Sequence, residues 1–140
     1  NYAIDYDKNG KIELKQSLHD AVGSAANYIN KIGWKYKSSC FHKVELTKPI
    51  SEKYINVSAK KIKNYLTIKS WKKKGIVDIQ QINDEYKAAL VIPDLAVLEE
   101  SINSPAFLVF ENYEKILQWN RSLRFGITVC TLANMITNEI

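Results

Sequence analysis

The segment that most restricts this chain is its opening, Asp5-Tyr6-Asp7-Lys8-Asn9-Gly10, followed by a helix that Ser17 can cap. Two carboxylates and an amide at alternate positions, then glycine at the sixth, match the start of a calcium-loop pattern. Alternate residues of a tight loop face inward, and a hard divalent cation takes roughly six to eight oxygens there. Gly10 allows the sharp turn, Lys11 would offer its main-chain carbonyl, and Ile12 suits the apolar anchor of such a loop. The twelfth position is Gln16, where the pattern has a bidentate Glu. The final carboxylate would then come from elsewhere, and Asp20, in the first turn of the helix, is the candidate. The expected ligands are Asp5, Asp7, Asn9, Lys11 through its carbonyl, and Asp20, around a structural calcium ion. Without a metal, the same residues make an Asx-rich turn before a helix.

Ser17 is placed to cap that helix and Asp20 to meet the positive end of its dipole. Leu18, Val22, Ala25, Ile29 and Ile32 recur at spacings of four and three, which predicts one apolar face, and Gly33 is the expected stop. Gly23, Ser24, Ala25 and Ala26 are small enough to let another backbone pack close. Beyond Trp34 the periodicity changes. Phe41 to Leu46 reads as a strand, and Ser58 and Thr67 each open a short helix, through Leu66 and Lys74, with Gly75 ending the second. Tyr86 to Ile92 reads as a strand and Ala106 to Phe110 as its partner, while 94–105 fits neither period. A short helix runs from Asn112 or Tyr113 to Trp119. A last one starts near Ser122 with Phe125, Val129, Leu132, Ile136 and Ile140 on one face. The fold class is α+β, with helices at both ends flanking a small antiparallel sheet. Three parts follow: 1–33 as loop and helix, 34–111 as a small α/β insertion, and 112–140 as terminal helices.

Hydrophobic residues are 46% of the chain and charged ones 25%, a composition that folds rather than stays disordered. The apolar stretch between Arg124 and Glu139 is broken by Thr128, Thr131 and Asn134. It falls short of the roughly 18 apolar residues that a membrane span needs, so it predicts a buried helix. The chain starts at Asn1 with no basic-then-apolar leader, which predicts a processed, trimmed or partial protein. Of 20 basic residues all but two are Lys, and the net charge is +5; a solvated lysine surface explains this without a polyanion. Lys60, Lys61, Lys63, Lys69, Lys72, Lys73 and Lys74, with Tyr65 and Trp71 between them, could in principle bind single-stranded nucleic acid. The same stretch reads as two short helices with solvated faces, so no nucleic-acid partner is expected. Cys40 and Cys130 fit no metal spacing; a disulfide and two free thiols both remain open.

Read together, the loop and His19-Asp20-Ala21-Val22-Gly23-Ser24-Ala25-Ala26-Asn27-Tyr28-Ile29, then Gly33-Trp34, resemble a segment of the lytic murein transglycosylase B family. A second match runs from Phe107-Leu108-Val109-Phe110-Glu111-Asn112-Tyr113 to Trp119-Asn120-Arg121-Ser122 and Phe125, and Leu90-Val91-Ile92-Pro93-Asp94 resembles a strand end of the family. The resemblance implies the carboxy-terminal portion of a lysozyme-like transglycosylase, a periplasmic monomer that meets peptidoglycan glycan strands. Such enzymes cleave the β-1,4 bond between N-acetylmuramic acid and N-acetylglucosamine and leave a 1,6-anhydro end. One Glu acts first as acid and then as base, and the sugar's own 6-hydroxyl is the nucleophile. The resemblance also implies the metal ligands given above and groove residues Tyr28, Trp119, Asn120 and Phe125. Phe125 stands where many members have Tyr.

The chain departs from the family in three places. Lys8 stands where Gly is common, and Glu13 where Asp is common. The catalytic Glu of the family lies in an E-S-x-[FY]-G motif before the loop, and none of the nine glutamates here is followed by that pattern. Ser122 stands where the acid would be in Ser122-Leu123-Arg124-Phe125-Gly126, and a hydroxyl cannot serve. No catalytic residue is expected in this chain, which alone should be inactive; the catalytic part, with any outer-membrane association, would lie upstream. The competing expectation is a calcium-stabilised structural module without glycan contact.

Overall fold

The computed structural model describes residues 2–95 and 104–139. It divides into two compact units, 1–38 and 39–140. The first holds the opening loop and α1 (Leu18–Lys31). Ser17 caps α1 as expected, its Oγ accepting the Asp20 N–H at 3.2 Å. The expected apolar face is not the buried one: Leu18 is 76% exposed and Val22 59% exposed, whereas Asp20, Gly23 and Ser24 are buried. Residues 2–6 lie along this small, polar side. The Ile4 N–H donates to Ser24 Oγ at 2.9 Å, and Asn27 Nδ2 donates to the Tyr2 carbonyl at 2.7 Å. An extended backbone needs polar partners and close approach, and the small residues supply both where Leu and Val would not.

The second unit contains β1 (Phe41–Leu46), β2 (Ile55–Asn56), β3 (Leu66–Thr67), α2 (Ile68–Lys73), β4 (Ile76–Val77), β5 (Lys87–Val91), β6 (Ala106–Val109), α3 (Glu111–Trp119) and α4 (Leu123–Glu139). The sheet order is β2-β5-β6-β1-β4, and β3 pairs with β5 on the edge that β2 also uses. All pairs are antiparallel except β2 with β5. The two longest expected strands and their neighbour are found; β2, β3 and β4 are pairs of residues that carry no periodicity to read. Ala88, Leu90 and Ile92 join Trp71, Ile68, Ile76, Val44, Leu46 and Leu108 in one apolar core. Ala89 and Val91 point to the other face of β5 and are also fully buried, as a near-continuous apolar run requires.

Two expected helices come out differently. Thr67 caps α2, and Gly75 ends it in the left-handed region at φ +91°. No helix spans Ser58 to Leu66. There the Asn56 carboxamide donates to the Lys63 and Leu90 carbonyls and accepts the Lys63 N–H at 2.8 Å, which ties the segment into a loop. In α4 the buried positions are Leu123, Gly126 and Cys130, while Leu132 and Ile136 are more than half exposed. Two contacts choose that face. Cys130 is disulfide-bonded to Cys40, and a Cβ at Gly126 would stand 2.6 Å from a Tyr113 ring carbon. The helix is therefore buried only along its first half. Ile140, Val97, Leu98 and Ile102 lie outside the described residues.

Candidate functional site

In the first unit the loop closes as its composition demands. Asp5 accepts the Asn9 N–H on Oδ1 at 3.1 Å and the Gly10 N–H on Oδ2 at 2.8 Å. Asp7 Oδ1 accepts the Asn9 N–H at 3.2 Å, and Asp7 Oδ2 accepts the Ser17 hydroxyl at 3.0 Å. Gly10 has φ +87° and Lys8 φ +61°; the second value explains why glycine suits the place where Lys8 stands.

Asp20 organises the loop from the helix. It is fully buried. Its Oδ1 accepts the Tyr6 N–H at 2.8 Å and the Asp7 N–H at 3.4 Å, and its Oδ2 accepts the Glu13 N–H at 2.9 Å. The Glu13 amide, followed by those of Tyr6 and Asp7, holds its carboxyl below the usual carboxylate range, although burial pulls the other way. Gly23 makes room for this arrangement, since a Cβ there would meet the Tyr6 ring at 2.5 Å.

One oxygen each from Asp5, Asp7 and Asp20 lies within 4.8 Å of the others. Three like charges so placed repel one another unless a cation sits among them. Each carboxylate can accept about four hydrogen bonds or metal bonds, so the amide contacts leave lone pairs to spare. The donor set is all oxygen, which fits a hard divalent ion rather than a softer one. Asn9 and Lys11 are less committed: Asn9 Oδ1 accepts the Lys11 N–H at 2.9 Å, and both residues are exposed. Ser17, as a donor to Asp7, was not foreseen from the sequence; its N-cap position was the available signal.

Tyr28 belongs to this unit. It is half-buried, with the Tyr2 ring set edge-on at a centroid distance of 4.9 Å. The other three groove candidates belong to the second unit and gather at the joint between α3 and α4. Trp119 is 53% exposed, Asn120 is exposed and Phe125 half-buried. The joint is tightly held. Tyr113, buried, donates its hydroxyl to the Leu123 carbonyl at 2.7 Å, the Ser122 N–H donates to the Asn120 carbonyl at 2.8 Å, and Ser122 Oγ accepts the Phe125 N–H at 3.3 Å. Burial pushes the Tyr113 phenol well above its ordinary value, so it stays a donor. Tyr113 and Gly126 were overlooked in the sequence because neither carries a binding signal of its own; their contact packs α3 against α4 next to Trp119 and Asn120.

The sequence model of the transglycosylase SLT domain matches residues 1–134. This chain belongs to that family. Among solved structures it is similar to the catenated lytic transglycosylase SltB1 from Pseudomonas aeruginosa, at 20% identity and a TM-score of 0.75, covering 99% of this chain and 43% of that one. SltB3 from the same organism, in complex with NAG-anhNAM-pentapeptide, is 25% identical with a TM-score of 0.77 over 97% of this chain and 35% of its own. The Escherichia coli lytic transglycosylase Slt35, in complex with calcium, is 20% identical with a TM-score of 0.73, over 99% and 40%. The chain thus spans less than half the length of these structures. No curated protein sequence matches it. The SLT-type murein transglycosylase family and its lysozyme-like mixed fold are those that the loop and the Trp119-Asn120 run suggested.

Proposed function

We propose that this chain is the carboxy-terminal, peptidoglycan-holding portion of a lytic murein transglycosylase that cleaves the MurNAc–GlcNAc β-1,4 bond to a 1,6-anhydro product. The observation that carries the reading is Trp119 and Asn120, exposed on a joint locked by Tyr113, in a chain of this family. An aromatic face beside an amide suits a sugar, whose rings have apolar faces and hydroxyl edges. Phe125 would extend that stacking surface without a hydroxyl to donate, and Tyr28 would be a separate sugar contact offered by the first unit. SltB3 was solved with NAG-anhNAM-pentapeptide and with NAG-NAM-pentapeptide, which supports a glycan partner here. The acid–base Glu would come from sequence outside these 140 residues, because no glutamate within them stands in the E-S-x-[FY]-G motif. The Cys40–Cys130 bridge supports a periplasmic address, since disulfides persist in oxidising compartments.

Asp5, Asp7 and Asp20, with Asn9 and the Lys11 carbonyl, would hold one structural calcium ion that fixes the loop against α1. Slt35 in complex with calcium supports this assignment. Two measurements test the reading. Purified murein sacculi should retain the chain, and Trp119→Ala with Asn120→Ala should lower retention about tenfold. Retention no greater than that of a control protein would leave a calcium-stabilised module without glycan contact. Millimolar Ca²⁺ should raise the melting temperature relative to EDTA, because the folded loop binds the ion and the unfolded one barely does. Asp5→Ala and Asp7→Ala should abolish that shift, and Lys8→Ala should not.

A further inference from the structure

The second unit carries a cluster that neither the metal loop nor the glycan-facing joint uses. Tyr54 ends a single 3-10 turn, Glu52–Tyr54, and its ring sits edge-on to buried Trp71 at 6.3 Å. Trp71 is itself fixed, donating Nε1–H to the Ala88 carbonyl at 2.8 Å. Two ammonium groups meet on this one ring: Lys53 Nζ at 4.9 Å from the centroid and Lys74 Nζ at 4.2 Å. Both come from braced backbone. The Lys53 carbonyl accepts Asn64 Nδ2 at 2.6 Å, and Lys74 closes α2, its N–H bonded back to the helix ahead of Gly75. A third lysine stem, that of Lys48, lies against Gly75.

Each lysine gains from the ring face, but the two charges sit closer than the Debye length of about 10 Å at 0.1 M salt and repel each other. Among the described residues no carboxylate is within ion-pair reach of Lys53 or Lys74; the ion pairs of this unit go to Lys72, Lys115 and Arg124. The positive potential is felt by the phenol, whose pKa is drawn down by Lys53 first and Lys74 second. Such an arrangement sets two ammonium donors around one phenol on a rigid aromatic base, and each ammonium has N–H bonds to spare for an acceptor from outside.

We propose that Lys53, Tyr54 and Lys74 form an anion site that takes a carboxylate, and, on the reading of the chain as a peptidoglycan-holding domain, a carboxylate of the peptide stem. Glycan strands are neutral along their sugar edges, so the carboxylates of the murein polymer lie chiefly on its peptides. A site for them would let the domain hold a strand by its peptide as well as by its sugars. An oligonucleotide, the other polyanion that this surface could meet, has lost one of its stacking platforms, because Trp71 is fully buried.

The test uses the 140-residue chain and three probes followed by NMR shifts and titration: free stem pentapeptide, NAG-anhNAM with its lactyl carboxyl capped as the amide, and NAG-anhNAM-pentapeptide. The pentapeptide should move the Tyr54 and Lys74 signals, and the capped disaccharide should not. Lys53→Gln and Lys74→Gln should each weaken pentapeptide binding about fivefold to tenfold while leaving the disaccharide unchanged, and Tyr54→Phe should weaken it less. Pentapeptide that leaves these signals still, while the disaccharide binds at Trp119, overturns the site and spares the glycan reading. Disaccharide that fails while pentapeptide binds at Tyr54 does the reverse for the glycan contacts but keeps the site. Signals moved equally by a short oligothymidylate or inorganic phosphate, but not by pentapeptide, overturn the carboxylate assignment.

Discussion

Lys8 shows what one residue costs and why the loop tolerates it. A side chain at φ +61° crowds its own carbonyl, at roughly 1 kcal/mol or more, and glycine would remove that cost while adding freedom to the unfolded chain. Lys8→Gly should therefore raise the melting temperature by roughly 1–3 °C; a lower value by calorimetry would mean that the lysine does something else in the loop. Asp20 carries a larger share. Its folded carboxyl titrates below its ordinary value because the amides of Glu13, Tyr6 and Asp7 prefer the ionised form. That contribution is fully present above the unfolded carboxylate range, near 4, and fades as pH falls through the lower folded value. Asp20→Asn should lower stability at pH 7 and flatten the loss as pH falls below the ordinary carboxylate range, as read from denaturant midpoints. An unchanged acid slope would mean that Asp20 is not the group that titrates.

Among the elements, the loop between β2 and β3 depends on one amide. Asn56 is 7% exposed and makes three hydrogen bonds through its carboxamide, two of them to the backbone of Lys63. Asn56→Ala would strand the Lys63 N–H and the Lys63 carbonyl, at about 2–3 kcal/mol, and amide exchange at Lys63 should quicken with it. Stability within about 0.5 kcal/mol of the parent would show that water replaces the amide. The same residue explains what the sequence could and could not say. Ser58 to Leu66 has a plausible cap and enough helix formers to suggest a helix, and nothing local shows that a side chain from position 56 will claim its backbone. The long strands were legible because alternation and burial are written into Phe41–Leu46 and the Ala88–Ile92 run. The faces of α1 and α4 were not. In each, the strongest apolar stripe lost to the side where a small residue lets something close approach: Gly23 under Tyr6, Gly126 under Tyr113. The carboxylates of Asp5, Asp7 and Asp20 were found because loop spacing encodes them, whereas the Lys53–Tyr54–Lys74 cluster joins two turns that are distant in sequence.

For the molecule as a whole, the decisive tie is covalent. Cys40 stands just before β1 and Cys130 lies in α4, 90 residues apart in sequence with their Cα atoms 6.0 Å apart; spacing alone could not distinguish this bridge from two buried thiols. It fixes α4 to the unit that holds the sheet and thereby supports the joint that carries Trp119 and Asn120. Closing so long a loop should limit the unfolded chain by about 4.6 kcal/mol in a chain-entropy account, with roughly 2–4 kcal/mol the usual measured gain. The exposed Leu132, Met135 and Ile136 give the outer half of α4 little packing of its own to replace that tie. Cys130→Ser, or reductant in the buffer, should therefore lower the unfolding free energy by that amount, read as a lower denaturation midpoint, and speed amide exchange along α4 more than along β5. If exchange in α4 stayed at the oxidised rate while the midpoint fell, the bridge would be acting only on the unfolded chain, and the joint at Asn120 would owe its rigidity to Tyr113 alone.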